Sequence, residues 1–495
     1  MATKNKPRSA QTGELELPQG SLWVQRGGAN QELLYLTCHG VDGVNDDNST
    51  PEYGYCIVDG RYVIRSRTQP APAGASFDVM TGQDKVKSVM DTLLQENCPA
   101  TFGMKLSSCG KPDSISTWDV WYIYPFATVN SRDAGALVAW SEQARIERTF
   151  SVTSPQVGYT VYRPVPKSTP VDPDETTFGT GAVPTNIHVP VNRGECGGAC
   201  GAYETSCDFA IAGTNSGVGT PGATNESGVL ITRDGGSTWT FLASGQDDVE
   251  YTHAVLLDDG TIVAVGNLDD DTAVWVALGS VTATTATLDS GSAIATGLTG
   301  ATILSIYTDG QEVWFTTLNR IYRSTDSGVT WTLVHTGAAG DVIRSIHFSG
   351  EYGYAVGEDT GGATLVLFSA NAGDSWSDIS SQDIGDGLSV YAHQNIVWLG
   401  TEDGLYYSTT RGLTWSERVI PGGAGVTDVE FYDENIAIAV SGTRVYMSLF
   451  GGAANSWSVL DASGLSGGQL EFCAPDTFWQ LESDGSLVKY EPKLS

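Results

Sequence analysis

The octapeptide STDSGVTW, Ser324 to Trp331, decides the fold of this 495-residue chain. It places short polar side chains at Ser324 and Asp326, a glycine at Gly328, a hydroxyl at Thr330 and an indole at Trp331. These residue types build a tight β-hairpin: the polar side chains bond turn amides, glycine takes positive φ, and the tryptophan plugs the turn against a neighbouring strand. Variants recur on either side. TRDGGSTW carries Thr232, Asp234, Gly236, Thr238 and Trp239. SANAGDSW (Ser369, Gly373, Trp376) puts Asn371 at the aspartate position, STTRGLTW (Ser408, Gly412, Trp415) puts Thr410 there, and Ser448 to Trp457 is a stretched version.

Spacing turns the hairpins into an architecture. Trp331 to Trp376 is 45 residues, Trp376 to Trp415 is 39 and Trp415 to Trp457 is 42. Trp239 precedes Trp331 by 92, two intervals with one signature lost. Units of about 40 to 50 residues match the blade of a four-stranded propeller. An apolar strand ahead of the hairpins recurs seven times, as FAIAG (209–213), IVAVG (262–266), VWFTT (313–317), YAVG (354–357), IVWLG (396–400), IAIAV (436–440) and FWQLE (478–482). The last repeat stops after SLVKYEP with no fourth strand, so residues 175–184 are expected to supply it and close the ring.

The fold class is therefore mainly β: an N-terminal β-sandwich or barrel with one flanking helix, followed by a seven-bladed β-propeller. The boundaries read as 1–165 for the first domain, 166–185 for a Pro-rich linker and 186–495 for the propeller. Alternating strands such as SLWVQR, GYCIVDG and DVWYIYPF surround one helix, GQDKVKSVMDTLLQEN. In that helix Val86, Val89, Met90, Leu93 and Leu94 fall on a single face.

Charge divides the chain in the same place. Residues 1–170 hold 17 acidic and 16 basic side chains, leaving 41 acidic and 10 basic in the remainder of a chain with net charge −32. Such a surface repels phosphate backbones, which argues against nucleic-acid binding by the propeller. No stretch is long and apolar enough to span a bilayer, so membrane insertion is not expected, and the first twenty residues lack the apolar core of a signal peptide. Synthesis in a cytoplasm follows as the expectation.

The hairpin signature resembles the Asp-box, or bacterial neuraminidase repeat. Sialidases of that kind resemble one another in an arginine triad, a Tyr and Glu nucleophile pair and an Arg-Ile-Pro motif; the nearest phrase here is Tyr162-Arg163-Pro164-Val165. Arg233, Arg323 and Arg411 sit in or beside the hairpin turns, which are expected to point away from the central face. The reading is no enzyme, no catalytic residue, no cofactor and no metal. Cys196, Cys200 and Cys207 have C-x3-C-x6-C spacing without paired zinc knuckles, which fits one disulfide or free thiols better than a metal. A bridge from Cys473, in the last repeat, to this cluster is open if the ring closes. Cys38, Cys56, Cys98 and Cys109 form an even set in the first domain that suits disulfides. The six histidines, His39, His188, His253, His335, His347 and His393, are scattered and read as separate residues.

The N-terminal domain resembles the major tail-tube proteins of long-tailed bacteriophages in its strand-rich plan of about 150 residues with one amphipathic helix. That resemblance implies a virion structural protein, made in the host cytoplasm and ending in the viral tail. Its partners would be itself, as hexameric rings stacked into a tube, and other tail proteins. DNA would pass transiently without specific binding, and the propeller would project as an outer decoration. The rival reading is a binding module on a virion or cell surface, whose central face takes a host-surface glycan or a protein, with Trp314, Trp398 and Trp479 on corresponding strands as candidate lining. A further rival resembles the photosystem assembly propellers, which share Asp-box-like repeats.

Overall fold

The computed structural model describes residues 21–492 apart from a set of internal segments, the longest of which are 107–119, 167–182, 191–206 and 216–227. Cys38, Cys98, Cys109, Cys196 and Cys200 lie outside the described residues, and of Cys56 only the backbone strand Tyr55–Val58 is described. The chain divides into two compact units. One comprises Met1–Arg163 with Ser448–Ser458 and Lys493–Ser495; the other comprises Pro164–Met447 with Val459–Pro492.

In the first unit a nine-stranded antiparallel sheet is organised by the long strand Val120–Arg132. Its first half pairs with Ala100–Leu106 and Tyr159–Tyr162, and its second half with Gln143–Ser154. One strand thus serves both halves, and their inner faces share a core. Val24 and Phe102 from one half meet Val79, Phe150 and Val152 from the other. Helix Asp84–Glu96 completes that core with buried Met90 and Leu93 and the partly buried Val89 and Leu94, the face that the i, i+3, i+4 spacing picks out.

The second unit is a β-propeller. Among the described residues, seven antiparallel sheets, six of four strands and one of five, follow one another along the chain. Their innermost strands are Val183–His188, Val249–Leu256, Ile303–Thr308, Val342–Ser349, Gly387–His393, Val426–Phe431 and Gln469–Ala474. The seven apolar strands read from the sequence are the second strand of each sheet; in the five sheets with a signature hairpin a third strand separates the two. The second sheet, which lacks a signature hairpin, pairs its third strand Ala273–Val281 with both Ala286–Leu288 and a fifth strand, Ser292–Thr296.

Ring closure corrects the sequence reading. The fourth strand of the seventh sheet is Pro164–Pro166, paired to Tyr490–Pro492, whereas 167–182 lie outside the described residues and Val183–His188 is the innermost strand of the first sheet. Two prolines in three residues suit only an outermost strand, where one side of the backbone needs no ladder partner. A disulfide between Cys207 and Cys473, Cα atoms 5.2 Å apart and 266 residues distant in sequence, joins the first sheet to the seventh.

The signature hairpins share one bonding plan. In the third sheet Ser324 Oγ accepts the Gly328 N–H at 2.8 Å and donates to Asp326 Oδ1 at 2.9 Å, while Asp326 accepts from Thr330 N and Thr330 Oγ1 at 2.8 and 2.6 Å. Thr232 and Asp234 repeat this with Gly236 and Thr238. Asn371 accepts from Ser375 N, Thr410 Oγ1 accepts from Thr414 N, and Ser448 keeps the bond from Gly452 N. Gly236, Gly328, Gly373, Gly412 and Gly452 all have φ between 67° and 87°. A Cβ at Gly236 would also lie 2.5 Å from Trp479 of the seventh sheet, so the hairpin glycine is required by packing as well as by φ.

Candidate functional site

The innermost strands surround a central cavity of about 1520 Å³. Its wall is built on a repeated irregularity: six of the seven innermost strands carry a bulge ahead of the same structural position. That position holds Asn186, His253, Ser305, Ser345, Ser389 and Asp428, with Gln469 as its counterpart in the seventh sheet. At six of the seven positions, Ser305 being the exception, the side chain reaches the backbone of an adjoining innermost strand. Asn186 Oδ1 accepts from Ala254 N at 3.0 Å, His253 bonds to the Leu304 backbone, and Ser345 Oγ accepts from Val390 N at 3.1 Å. Ser389 Oγ accepts from Val429 N at 3.1 Å, Asp428 Oδ2 from Leu470 N at 2.7 Å, and Gln469 Oε1 from Ile187 N at 3.1 Å, which brings the chain of bonds round to the first sheet. Burial pushes the Asp428 carboxyl up against the opposing pull of Ser389 and the Leu470 and Val429 amides. Desolvation of the His253 ring on burial pushes its pKa down to about 4, against the opposing bond to the Leu304 backbone.

Two residues further along, the side chains return to the same side of each strand and face the cavity. This level comprises His188, Val255, Tyr307, His347, Tyr391, Glu430 and Glu471, all of which line it. It is polarised. Tyr307, His347 and Tyr391 form an aromatic arc with centroids 5.0 and 4.5 Å apart, continued at 5.0 Å by the buried Phe431. Glu430 and Glu471 occupy neighbouring strands, with His188 Nδ1 4.0 Å from Glu471 Oε1. Beyond the strand ends stand Asp258, Asp309, Asp433 and Glu434. Burial and then the charges of Asp309 and Asp259 raise the Asp258 pKa, and desolvation together with the Asp433 charge pushes Glu434 up to about 7.

Four of the six histidines, read as scattered in the sequence, therefore converge on this cavity: His188, His253, His347 and His393. The missed signal is the repeated triplet Ser305-Ile306-Tyr307, Ser345-Ile346-His347 and Ser389-Val390-Tyr391, which marks the bulge and the cavity-facing position together. Of the candidate lining tryptophans, Trp314 borders the cavity while Trp398 and Trp479 do not, and all three are buried, at 2, 2 and 0 % exposure. They pack against Phe348, Phe431 and Trp239 of adjoining sheets.

The hairpin arginines act as staples. Arg233 borders the cavity, contrary to the expectation that it points away, but its guanidinium donates to the Thr282 and Thr285 carbonyls of the second sheet. Arg323 pairs with Glu312 and Asp374, and Arg411 lies 4.2 Å from the Tyr352 ring centroid. Of the predicted disulfide cysteines, Cys207 and Cys473 are the pair brought together among the described residues.

No family model matches the chain, and no curated protein matches it. Among solved structures it is similar to one described as YCF48 bound to D1 peptide, at 17 % identity over 64 % of this chain and 95 % of that one, with a TM-score of 0.46. It is also similar to the RRP9 WD40 repeats (10 % identity, 66 % and 98 % covered, TM-score 0.45) and to U3-55K (10 %, 66 % and 100 %, TM-score 0.44).

Proposed function

We propose that this chain is a binding protein rather than an enzyme, displayed on a virion or cell surface, whose propeller takes a segment of a partner protein into its central cavity. The observation that supports this reading is the cavity itself. At about 1520 Å³ it exceeds the roughly 300–1,000 Å³ of small-molecule pockets, and its wall combines aromatic faces with convergent polar groups. Its scaffold is rigid, since neighbouring innermost strands are tied by side-chain-to-backbone bonds. The signature hairpins belong, in this reading, to the Asp-box class and serve to pack sheet on sheet. The test is a pair of screens on the purified protein, a random-peptide library and a glycan array, run beside a Ser349→Trp variant that places an indole among the cavity-lining residues. Peptides captured by the native protein and lost by the variant support the proposal; glycans captured in their place would overturn it in favour of a lectin.

A second reading rests on the first unit. Its single helix on a nine-stranded sheet, which ends in strands Leu34–Thr37 and Val41–Asp47 among the described residues, suits a tail-tube-like subunit that assembles by sheet continuation. Rings or tubes in electron micrographs of the full chain at rising concentration support it; monomers throughout leave the binding protein alone.

A further inference from the structure

We propose that the cavity wall holds a docking point for an uncharged carbonyl oxygen, a main-chain carbonyl of the partner segment, made by the Ile306 and Ile346 amides and the Ser305 hydroxyl on the innermost strands of the third and fourth sheets. This rests on the reading of the cavity as a peptide site and names the group received and the place that receives it.

A gap in a repeated pattern carries the first step. In five of the seven sheets the amide one residue past the bulge position is accepted by a side chain of the sheet before it in the ring: Ile187 N by Gln469, Ala254 N by Asn186, Val390 N by Ser345, Val429 N by Ser389 and Leu470 N by Asp428. The equivalent amides in the third and fourth sheets are Ile306 and Ile346, which hold the same register against their second strands. Among the described residues no side chain accepts either one: His253 bonds to Leu304 instead, and Ser305 Oγ makes no hydrogen bond. Residue type does not explain the gap, since Ser345 and Ser389 make the bond that Ser305 omits. The seam between the third and fourth sheets is closed instead by Thr316 Oγ1, which donates to Ile343 O at 2.9 Å, and by Ile343 N, which donates to Leu318 O at 2.7 Å.

Chemistry carries the second. Ser305, Ile306 and Ile346 all line the cavity, so two amide donors and a hydroxyl able to donate stand at one level on neighbouring strands. A segment seated in the cavity strips water from these groups, and a desolvated amide left without an acceptor is costly, which selects a partner that brings an oxygen there. Charge selects among oxygens. Residues after 170 carry 41 acidic and 10 basic side chains, a field that repels a carboxylate and spares a neutral carbonyl. An extended segment presents such a carbonyl at every residue, so the docking point holds its main chain and leaves its side chains to the rest of the wall.

Hydrogen exchange of the native full chain, read residue by residue by mass spectrometry with electron-transfer fragmentation, is the first measurement. Without ligand, Ile306 and Ile346 are expected to exchange faster than the five accepted amides; equal protection overturns the inference. The second measurement repeats the random-peptide screen with Ser305→Ala and Ser305→Asn beside the native chain, each checked for native melting. Asparagine accepts the corresponding amide at Asn186, so Ser305→Asn is expected to take the Ile346 N–H for itself and to weaken captured, C-terminally amidated peptides about tenfold or more without lowering the melting temperature. Bound peptide is expected to slow exchange at Ile306 and Ile346. If Ser305→Asn unfolds, that protection and Ser305→Ala, expected to weaken binding severalfold, carry the comparison. Peptides that Ser349→Trp loses, but that protect neither amide and bind the folded Ser305 variants unchanged, overturn the inference while leaving the peptide-site reading standing. Capture that requires a free C-terminal carboxylate overturns the carbonyl assignment. A library that yields no peptide removes both.

Discussion

At the scale of single residues, the hairpins show that acceptor geometry outranks charge. Asp326 accepts two bonds from Thr330 and one from Ser324, and its pKa is lowered, first by the Thr330 side chain and amide. Asn371 reproduces that pattern without a charge, and Thr410 reproduces part of it with a hydroxyl. Replacing Asp326 by Asn is therefore expected to cost less than about 0.5 kcal/mol, and Asp326→Ala about 1–2 kcal/mol. Ser324→Ala strips the Gly328 amide of its acceptor at a site only 1 % exposed, which costs about 1–3 kcal/mol. Urea titration of the three variants checks the order; an Asn variant as destabilised as the Ala variant would show that charge holds the turn.

Among elements, the closure of the ring is the place where sequence and structure part. The repeat length, the seven second strands and the helix face were all legible, because each rests on a local periodicity. The closing strand was not: Pro164–Pro166 carries no apolar pattern and is identified only by its pairing with Tyr490–Pro492. The cavity was hidden for a related reason. Its residues are spaced about 40 to 70 apart, only three of the seven innermost strands share a recognisable triplet, and their common role follows from strand position. Because a three-residue strand is a slight latch, the Cys207–Cys473 bridge is expected to matter. A crosslink spanning 266 residues restricts the unfolded chain by roughly 5 kcal/mol in the chain-entropy account. Reduction by dithiothreitol, or the Cys207→Ser/Cys473→Ser pair, is expected to lower the propeller's melting temperature by at least several degrees. A melt indifferent to reductant would mean that strand pairing alone closes the ring.

For the whole molecule, the uneven charge makes a prediction that no single contact makes. The residues after 170 carry 41 acidic and 10 basic side chains, and the compact state holds those charges closer together than the unfolded chain does. Ion pairs such as Arg323–Glu312 and Arg344–Glu358 are local and few, and screening them costs little, since partly exposed pairs contribute at most about 1 kcal/mol each. Self-repulsion among the carboxylates outweighs them, and salt relieves it. Raising sodium chloride from 20 to 200 mM shortens the Debye length from about 20 Å to about 7 Å, which cuts repulsion across the propeller while sparing contacts within a sheet. Calorimetric melting of the full chain is thus expected to shift upward by several degrees over that range. Magnesium chloride at matched ionic strength separates the field from specific ion binding. Equal shifts with the two salts identify a diffuse field, whereas a larger shift with magnesium points to a discrete cation site among the acidic turns. A melting temperature that falls with sodium chloride would mean that the few local ion pairs, and not the overall charge, govern the stability of this fold.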